Sequence, residues 1–115
     1  MPQEIKGTRI SVDDGDKDPF VSLTKPGDYI GPIMGYSQQP GVPSVWFLLP
    51  ISRDQNVPAE ARALHHCESP PHVFTEEPDG SLTIRNSIGA GPSSGYYWHG
   101  YLTKGYWRLD DKVDF

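Results

Sequence analysis

The chain consists of short apolar stretches separated by turn-forming residues. Its longest apolar run, Ser44–Leu49, has the length of a strand and stops at Pro50, which is typical of a strand covered on both faces. Further on, Leu82, Ile84 and Ile88 lie among alternating polar residues, so one face of that segment is predicted to be buried. The whole pattern predicts strands at Phe20–Leu23, Ser44–Leu49, Val73–Glu77, Ser81–Arg85, Tyr96–Thr103 and Tyr106–Leu109.

Two tight turns predict two hairpins in the last third of the chain. Pro78–Gly80 suits a three-residue loop with a bulge, because proline presets one dihedral and glycine supplies a positive φ. Lys104 and Gly105 suit a two-residue type I′ turn. A two-residue turn fixes the register of the last hairpin, so Thr103 is expected to face Tyr106.

This register separates the last hairpin into two faces. The core face would carry Trp98, Leu102, Trp107 and Leu109, with Gly100 leaving room for a neighbour. The opposite face, called the tyrosine face below, would carry Tyr97, His99, Tyr101, Tyr106 and Arg108, with Asp110 opposite His99. Such a face is either an ordinary solvated sheet surface or a binding surface, since tyrosine offers much contact area at little entropic cost.

The rest of the chain supports a mainly β fold: a compact antiparallel sheet, small sandwich or half-barrel with one short helix. The helix is expected at Ala59–Leu64, where good helix formers follow Pro58. Residues 1–19 are polar and suggest a mobile or loosely docked arm, with Ile10 and Val12 able to add a short edge strand. Residues 20–115 are expected to form a single domain. The predicted core is Val45, Phe47, Leu49, Phe74, Leu82, Ile84, Ile88, Trp98, Leu102, Trp107 and Leu109.

Composition narrows the function classes. Twelve glycines and twelve prolines among 115 residues agree with many turns. The formal charge of −5 disfavours a protein that grips nucleic-acid backbones. A single cysteine, Cys67, excludes an intramolecular disulfide, and the absence of a signal-like or membrane-length apolar segment suggests a cytoplasmic protein.

Three segments together resemble a known family. They are Val45–Pro50 (VWFLLP), His72–Ile88 (HVFTEEPDGSLTIRNSI) and Trp98–Leu109 (WHGYLTKGYWRL). Their succession resembles a family of small phage and prophage proteins of unknown function, sometimes mislabelled ammonia monooxygenase, over about Val45–Leu109. Members often carry a cysteine-rich, zinc-like site after the first strand and a Cys before the motif histidine. This chain departs there, since Tyr97 and Trp98 precede His99. The resemblance implies a phage-type origin, and because the family's function is unknown it carries no particular activity over to this chain.

The sequence offers only weak candidate residues for metal binding and for catalysis. His65, Cys67, His72 and His99 carry zinc-compatible side chains, although their spacing matches no compact zinc finger. His99 with Asp110 could supply a base and its orienting carboxylate, but no positioned nucleophile is visible, so no catalytic residue is predicted.

The sequence therefore predicts a non-catalytic phage-type accessory protein without a cofactor, which binds a protein partner in the cytoplasm of a bacterial host. Its partner could belong to a host defence system, which the chain would then inhibit stoichiometrically. The contact residues would be those of the tyrosine face. The alternative is a small zinc- or ligand-binding domain, with or without hydrolytic activity, that uses His65, Cys67, His72 and His99.

Overall fold

Two β-sheets make up the part of the chain that the structure describes. The structure, a computed structural model, describes residues 4–11, 20–50, 63–90 and 98–109. Within these ranges the strands are β1 (Glu4–Lys6), β2 (Arg9–Ile10), β3 (Tyr29–Ile33), β4 (Ser44–Leu48), β5 (Leu64–Glu68), β6 (Val73–Glu76), β7 (Leu82–Ala90), β8 (Trp98–Thr103) and β9 (Tyr106–Leu109). No helix occurs in these ranges, and hence none that could cross a membrane.

The first sheet has five strands in the order β1-β9-β8-β7-β6, and every neighbouring pair is antiparallel. The second has four strands in the order β2-β3-β4-β5, of which only the β2–β3 pair is parallel. The prediction of a mainly β, largely antiparallel fold is confirmed, and the arrangement is that of a small sandwich. Because β1 belongs to the first sheet and β2 to the second, residues 4–10 pair with both layers.

The last hairpin has the predicted geometry. Thr103 pairs with Tyr106 and Leu102 with Trp107. Lys104 and Gly105 have φ values of 50° and 82°, both positive, as a type I′ turn requires. Gly100 is also explained, because a Cβ there would lie 2.8 Å from the Trp98 ring and would collide with the carbonyl of Arg108.

Aromatic rings from both sheets meet in the core. Trp107 of β9 lies with its ring centroid 5.1 Å from Phe47, 5.5 Å from Trp98 and 6.0 Å from Tyr29. Its indole nitrogen donates a hydrogen bond of 2.8 Å to the carbonyl of Gly27, so the one polar atom of this buried ring is satisfied. Trp107 thereby joins the two layers at their centre.

Most of the predicted core is buried. The confirmed residues are Val45, Phe47, Leu49, Leu82, Ile84, Ile88, Trp98, Leu102 and Trp107. Phe74 is only partly buried because it lies on β6, the edge strand of its sheet. The side chain of Leu109 lies outside the described residues. Tyr29, Ile30 and Cys67 join the buried set without having been predicted.

One predicted strand is wrong, the predicted helix lies mostly outside the described residues, and the predicted burial of Ser44–Leu49 on both faces holds in part. Phe20–Leu23 was expected to be a strand, but residues 20–22 form a turn. The predicted helix Ala59–Leu64 falls mainly on residues outside the described ranges, and its last residue, Leu64, is the first residue of β5. In β4, burial alternates: Val45 and Phe47 are buried, whereas Trp46 and Leu48 are half-buried.

Candidate functional site

The tyrosine face lies on the outside of the five-stranded sheet. Side chains alternate across a strand, so the inward direction of Trp107 and Leu102 sends their neighbours outward. Tyr101 and Tyr106 are 40% and 41% exposed, whereas Trp107 is 1% exposed. The sharp change between adjacent residues shows that the faces are divided as the register predicted.

Three strands place complementary charge and aromatic surface side by side. Arg108 of β9 lies opposite Tyr101 of β8 on one side and opposite Glu4 of β1 on the other. Its Nε is 2.8 Å from Oε1 of Glu4, and both side chains are half-exposed. A pair this exposed adds between about 0 and 1 kcal/mol to stability. Its main effect is to fix the direction of the guanidinium, which points towards β1.

The face is broader than the sequence indicated. Lys6 of β1 pairs with Tyr106, and Glu4 with Arg108, so the first strand extends the surface on one side. On the other side, the exposed Arg85 of β7 lies opposite Val73 of β6, which is also exposed. A stretch of only three residues, Glu4–Lys6, gives too short an alternating pattern to identify a strand, so β1 was missed.

Two predicted contacts of the tyrosine face cannot be placed. Tyr97 and Asp110 lie outside the described residues, and with them the expected pairing of His99 with Asp110. His99 itself belongs to β8, pairs with Gly89 of β7 and is half-buried. The described members of the tyrosine face are therefore His99, Tyr101, Tyr106 and Arg108.

The structure does not assemble the metal candidates. His65 and Cys67 lie on β5 of the four-stranded sheet, whereas His99 lies on β8 of the other sheet. His72 donates through Nε2 to the carbonyl of Ser87 at 3.1 Å. Among the described residues, no three His, Cys, Asp or Glu side chains come close enough together to hold an ion.

Cys67 is poorly suited to nucleophilic chemistry. Burial, with a smaller effect from the charge of Glu68, raises the pKa of its thiol to about 12. The thiolate is the form that attacks electrophiles, so a thiol with a raised pKa is a weak nucleophile at neutral pH. It packs as a small apolar side chain in the core cluster.

The outer face of the four-stranded sheet differs, because other parts of the chain cover it. The rings of Trp46 and His66 stack with centroids 4.3 Å apart, and Phe20 packs on Trp46 at 4.9 Å. Tyr36 in turn packs edge-on against Phe20 at 5.1 Å. Glu68 fastens the neighbouring loop, since its carboxylate accepts hydrogen bonds from the backbone N–H groups of Gln38 (2.6 Å) and Gln39 (3.1 Å).

The hydrogen bonds that Glu68 accepts favour the ionised form of its carboxyl group. Its carboxylate also accepts from Nε2 of His66 at 2.9 Å and from the side-chain amide of Gln39 at 3.2 Å. These bonds, the one from the Gln38 backbone first, lower the pKa of Glu68 to about 2 from the ordinary value of 4.5. Hydrogen bonds that favour the charged form of a carboxyl have this effect.

Comparison with protein-family models, with curated proteins and with solved structures finds no match to this chain. Its function is therefore inferred from the chemistry of its own surfaces. Of the two outer sheet faces, only that of the five-stranded sheet presents exposed tyrosines beside charged side chains on adjacent strands, within the described ranges.

Proposed function

We propose that this chain is a non-catalytic binding protein that contacts a protein partner through the tyrosine face. The observation that carries this proposal is the row Glu4, Arg108 and Tyr101 across three adjacent strands, with Tyr106 exposed beside it. Tyrosine and arginine are over-represented among residues that dominate binding energy at interfaces. A sheet holds these side chains at fixed spacings, so little order has to be gained on binding.

The groups on this face favour contact over bond-making. They are aromatic rings, cations and a carboxylate that is already paired with Arg108. A protein ligand also agrees with the charge of the chain better than a nucleic acid does, because −5 repels a phosphate backbone.

The resemblance to phage and prophage proteins supports a narrower form of this proposal. In it, the partner is a protein of the bacterial host, such as a component of a defence system, and the chain inhibits that partner stoichiometrically in the host cytoplasm. The position of the gene tests this form directly: neighbouring anti-defence genes would support it, whereas tail or lysis genes would point to a different partner.

The test of the binding surface is a matched pair of double variants. Tyr101→Ala with Arg108→Ala removes one exposed ring and one cation from the tyrosine face. Met34→Ala with Lys25→Ala removes an exposed apolar side chain and a cation elsewhere on the surface. Wild type and both variants would serve as bait for host proteins, and the affinity for the captured protein would be measured by calorimetry with purified components.

We expect the tyrosine-face variant to bind at least about tenfold more weakly, since interface anchors often contribute more than 1.4 kcal/mol each. The control variant should match wild type. Equal binding by all three proteins, with correct folding shown by circular dichroism, would refute the tyrosine face as the contact surface.

The metal-binding alternative makes a separate prediction. If His65, Cys67, His72 and His99 served a zinc ion, purified protein would carry zinc stoichiometrically, and substituting His99 would release it. Elemental analysis of the native protein and of His99→Ala decides between the alternatives, because the binding proposal requires no metal.

A further inference from the structure

A polar cleft lies at one end of the sandwich, where the two hairpin turns and the connection between β1 and β2 meet. Its volume is about 450 Å³, within the range of small-molecule sites. Backbone hydrogen bonds fix its walls: the N–H of Gly7 donates to the carbonyl of Gly105 at 2.8 Å, and that of Gly105 donates to Leu82 at 3.0 Å. The side chains that matter in it are Lys6, Arg9, Tyr29, Asp79, Lys104 and Tyr106.

The cleft is locally cationic in an acidic protein. Arg9 is held in place, because it donates to the carbonyls of Gly31 (2.9 Å) and Gly80 (3.1 Å) and forms an ion pair with Glu76. The Arg9–Glu76 ion pair carries almost no net charge. Lys6 and Lys104 then outnumber Asp79 as the charged groups of the cleft, whereas the chain as a whole has a formal charge of −5.

Asp79 is engaged by its own turn. Its Oδ1 accepts from the hydroxyl of Ser81 at 2.6 Å and from the Ser81 N–H at 3.0 Å. These bonds, the hydroxyl first, lower the pKa of Asp79, and the charge of Lys104 contributes in the same direction. The carboxylate therefore shapes the turn through Ser81, and no salt bridge within hydrogen-bond range ties it to Lys6 or Lys104 among the ion pairs of the described residues.

Tyr29 adds a buried hydroxyl at the cleft wall. Its side chain is 1% exposed, and its oxygen accepts a hydrogen bond from the N–H of Leu82 at 3.3 Å. Because that oxygen accepts from Leu82, its own proton can be donated to an acceptor in the cleft that Tyr29 lines.

We propose that this cleft binds a small molecule that carries a phosphate group, held by Lys6, Lys104 and the hydroxyl of Tyr29. A phosphate group presents several strong acceptor oxygens, which match the two ammonium groups and the hydroxyl that line the cleft. The volume exceeds what a phosphate fills, and the exposed ring of Tyr106 borders the remaining space. The site adjoins the proposed partner surface and shares Lys6 and Tyr106 with it, whereas Lys104 and Tyr29 belong to the cleft alone.

The test is calorimetric titration of the full-length protein with inorganic phosphate, adenosine monophosphate and acetate at low ionic strength. We expect saturable, equimolar binding of phosphate and of adenosine monophosphate, and weaker binding of acetate. If the organic part of the ligand contacts Tyr106, adenosine monophosphate binds more tightly than phosphate. Binding of acetate as tight as that of phosphate, or no saturable binding of either phosphate compound, would overturn the proposal.

Variants assign the binding to this cleft. Lys6→Gln and Lys104→Gln should each weaken phosphate binding by about tenfold, the value of one charge-assisted hydrogen bond, while Lys104→Arg retains it. Lys6, Lys104 and the control Lys25 are all exposed, so these proteins should fold. Tyr29→Phe keeps the ring and should weaken phosphate binding as well. An unchanged affinity in the two Lys→Gln variants, or an equal loss in Lys25→Gln, would show that phosphate binds elsewhere.

Discussion

The two sheets of this protein use their outer faces in opposite ways. On the four-stranded sheet, the outer face carries Ile30, which is 0% exposed, and Trp46, whose ring stacks on His66 and packs at a tilt against Phe20. On the five-stranded sheet, the side chains of Tyr101 and Tyr106 are exposed to solvent, and Arg108 lies on the same face. An antiparallel sheet can expose one face to water only when that face is polar enough. The apolar outer face is covered by the chain, and the amphipathic one is left accessible to a partner.

The first prediction tests whether inner and outer faces of β9 are assigned correctly. Trp107→Ala should reduce the free energy of unfolding by roughly 3–5 kcal/mol, because it removes a buried ring that contacts both sheets. Tyr106→Ala, one residue away on the outer face, should cost less than about 1 kcal/mol. Urea denaturation of both variants measures the difference. Equal costs would mean that the two faces are not distinct.

The assignment of β9 side chains to the core face and to the tyrosine face could be predicted, because a two-residue turn allows only one register of the hairpin. Gly105 indicated the turn, because glycine adopts a positive φ readily. Once a two-residue turn was assumed, the positions of Tyr101, Trp107 and Arg108 followed from the register. The bulk of the core was foreseen for a similar reason, since apolar residues such as Leu82 and Ile84 recur with a period of two.

The strand β5 of the four-stranded sheet, and the segments that cover the outer face of that sheet, could not be predicted in the same way. β5 has the sequence LHHCE, in which adjacent histidines hide the alternation that places Cys67 inward and Glu68 under a loop. The cover on this sheet depends on contacts between segments distant in sequence, such as Glu68 with Gln38. No local pattern reports such a contact. The cleft between Lys6 and Lys104 is likewise a product of tertiary structure.

The second prediction concerns the Lys104–Gly105 turn, which sets the register of the hairpin that carries the tyrosine face. Gly105→Val should reduce the free energy of unfolding by about 1 kcal/mol or more, because a β-branched residue resists positive φ. The new side chain would also start only 3.0 Å from Cβ of Ser81. Lys104→Asn is the matched control, since asparagine tolerates positive φ and should leave stability almost unchanged. If chemical denaturation shows Gly105→Val to be as stable as wild type, the turn is not type I′.

The third prediction concerns Glu68 on the outer face of the four-stranded sheet and the pH dependence of the stability that it contributes. The folded-state pKa of Glu68 lies near 2, below its ordinary value of 4.5, so its ionised form stabilises the fold. That contribution is complete above pH 4.5 and is lost as the pH falls towards 2. Glu68→Gln should lower the melting temperature at pH 7, and the gap to wild type should shrink in acid. Melting curves that stay equally far apart from pH 7 to pH 2 would contradict the anchoring role of the carboxylate.

The smallest expected effect is the sharpest test of the contrast between the faces. Tyr101→Ala with Arg108→Ala should change the free energy of unfolding by less than about 1 kcal/mol, because an exposed ion pair and an exposed ring contribute little to folding. Trp46→Ala alters an outward residue of the other sheet and should cost clearly more. It removes the stacking on His66 and Phe20 and the bond from its indole N–H to the Ser44 hydroxyl. Both comparisons come from the same urea titrations. A tyrosine-face variant as unstable as Trp46→Ala would mean that Tyr101 and Arg108 support the fold, which would leave them unsuited to a surface kept open for a partner.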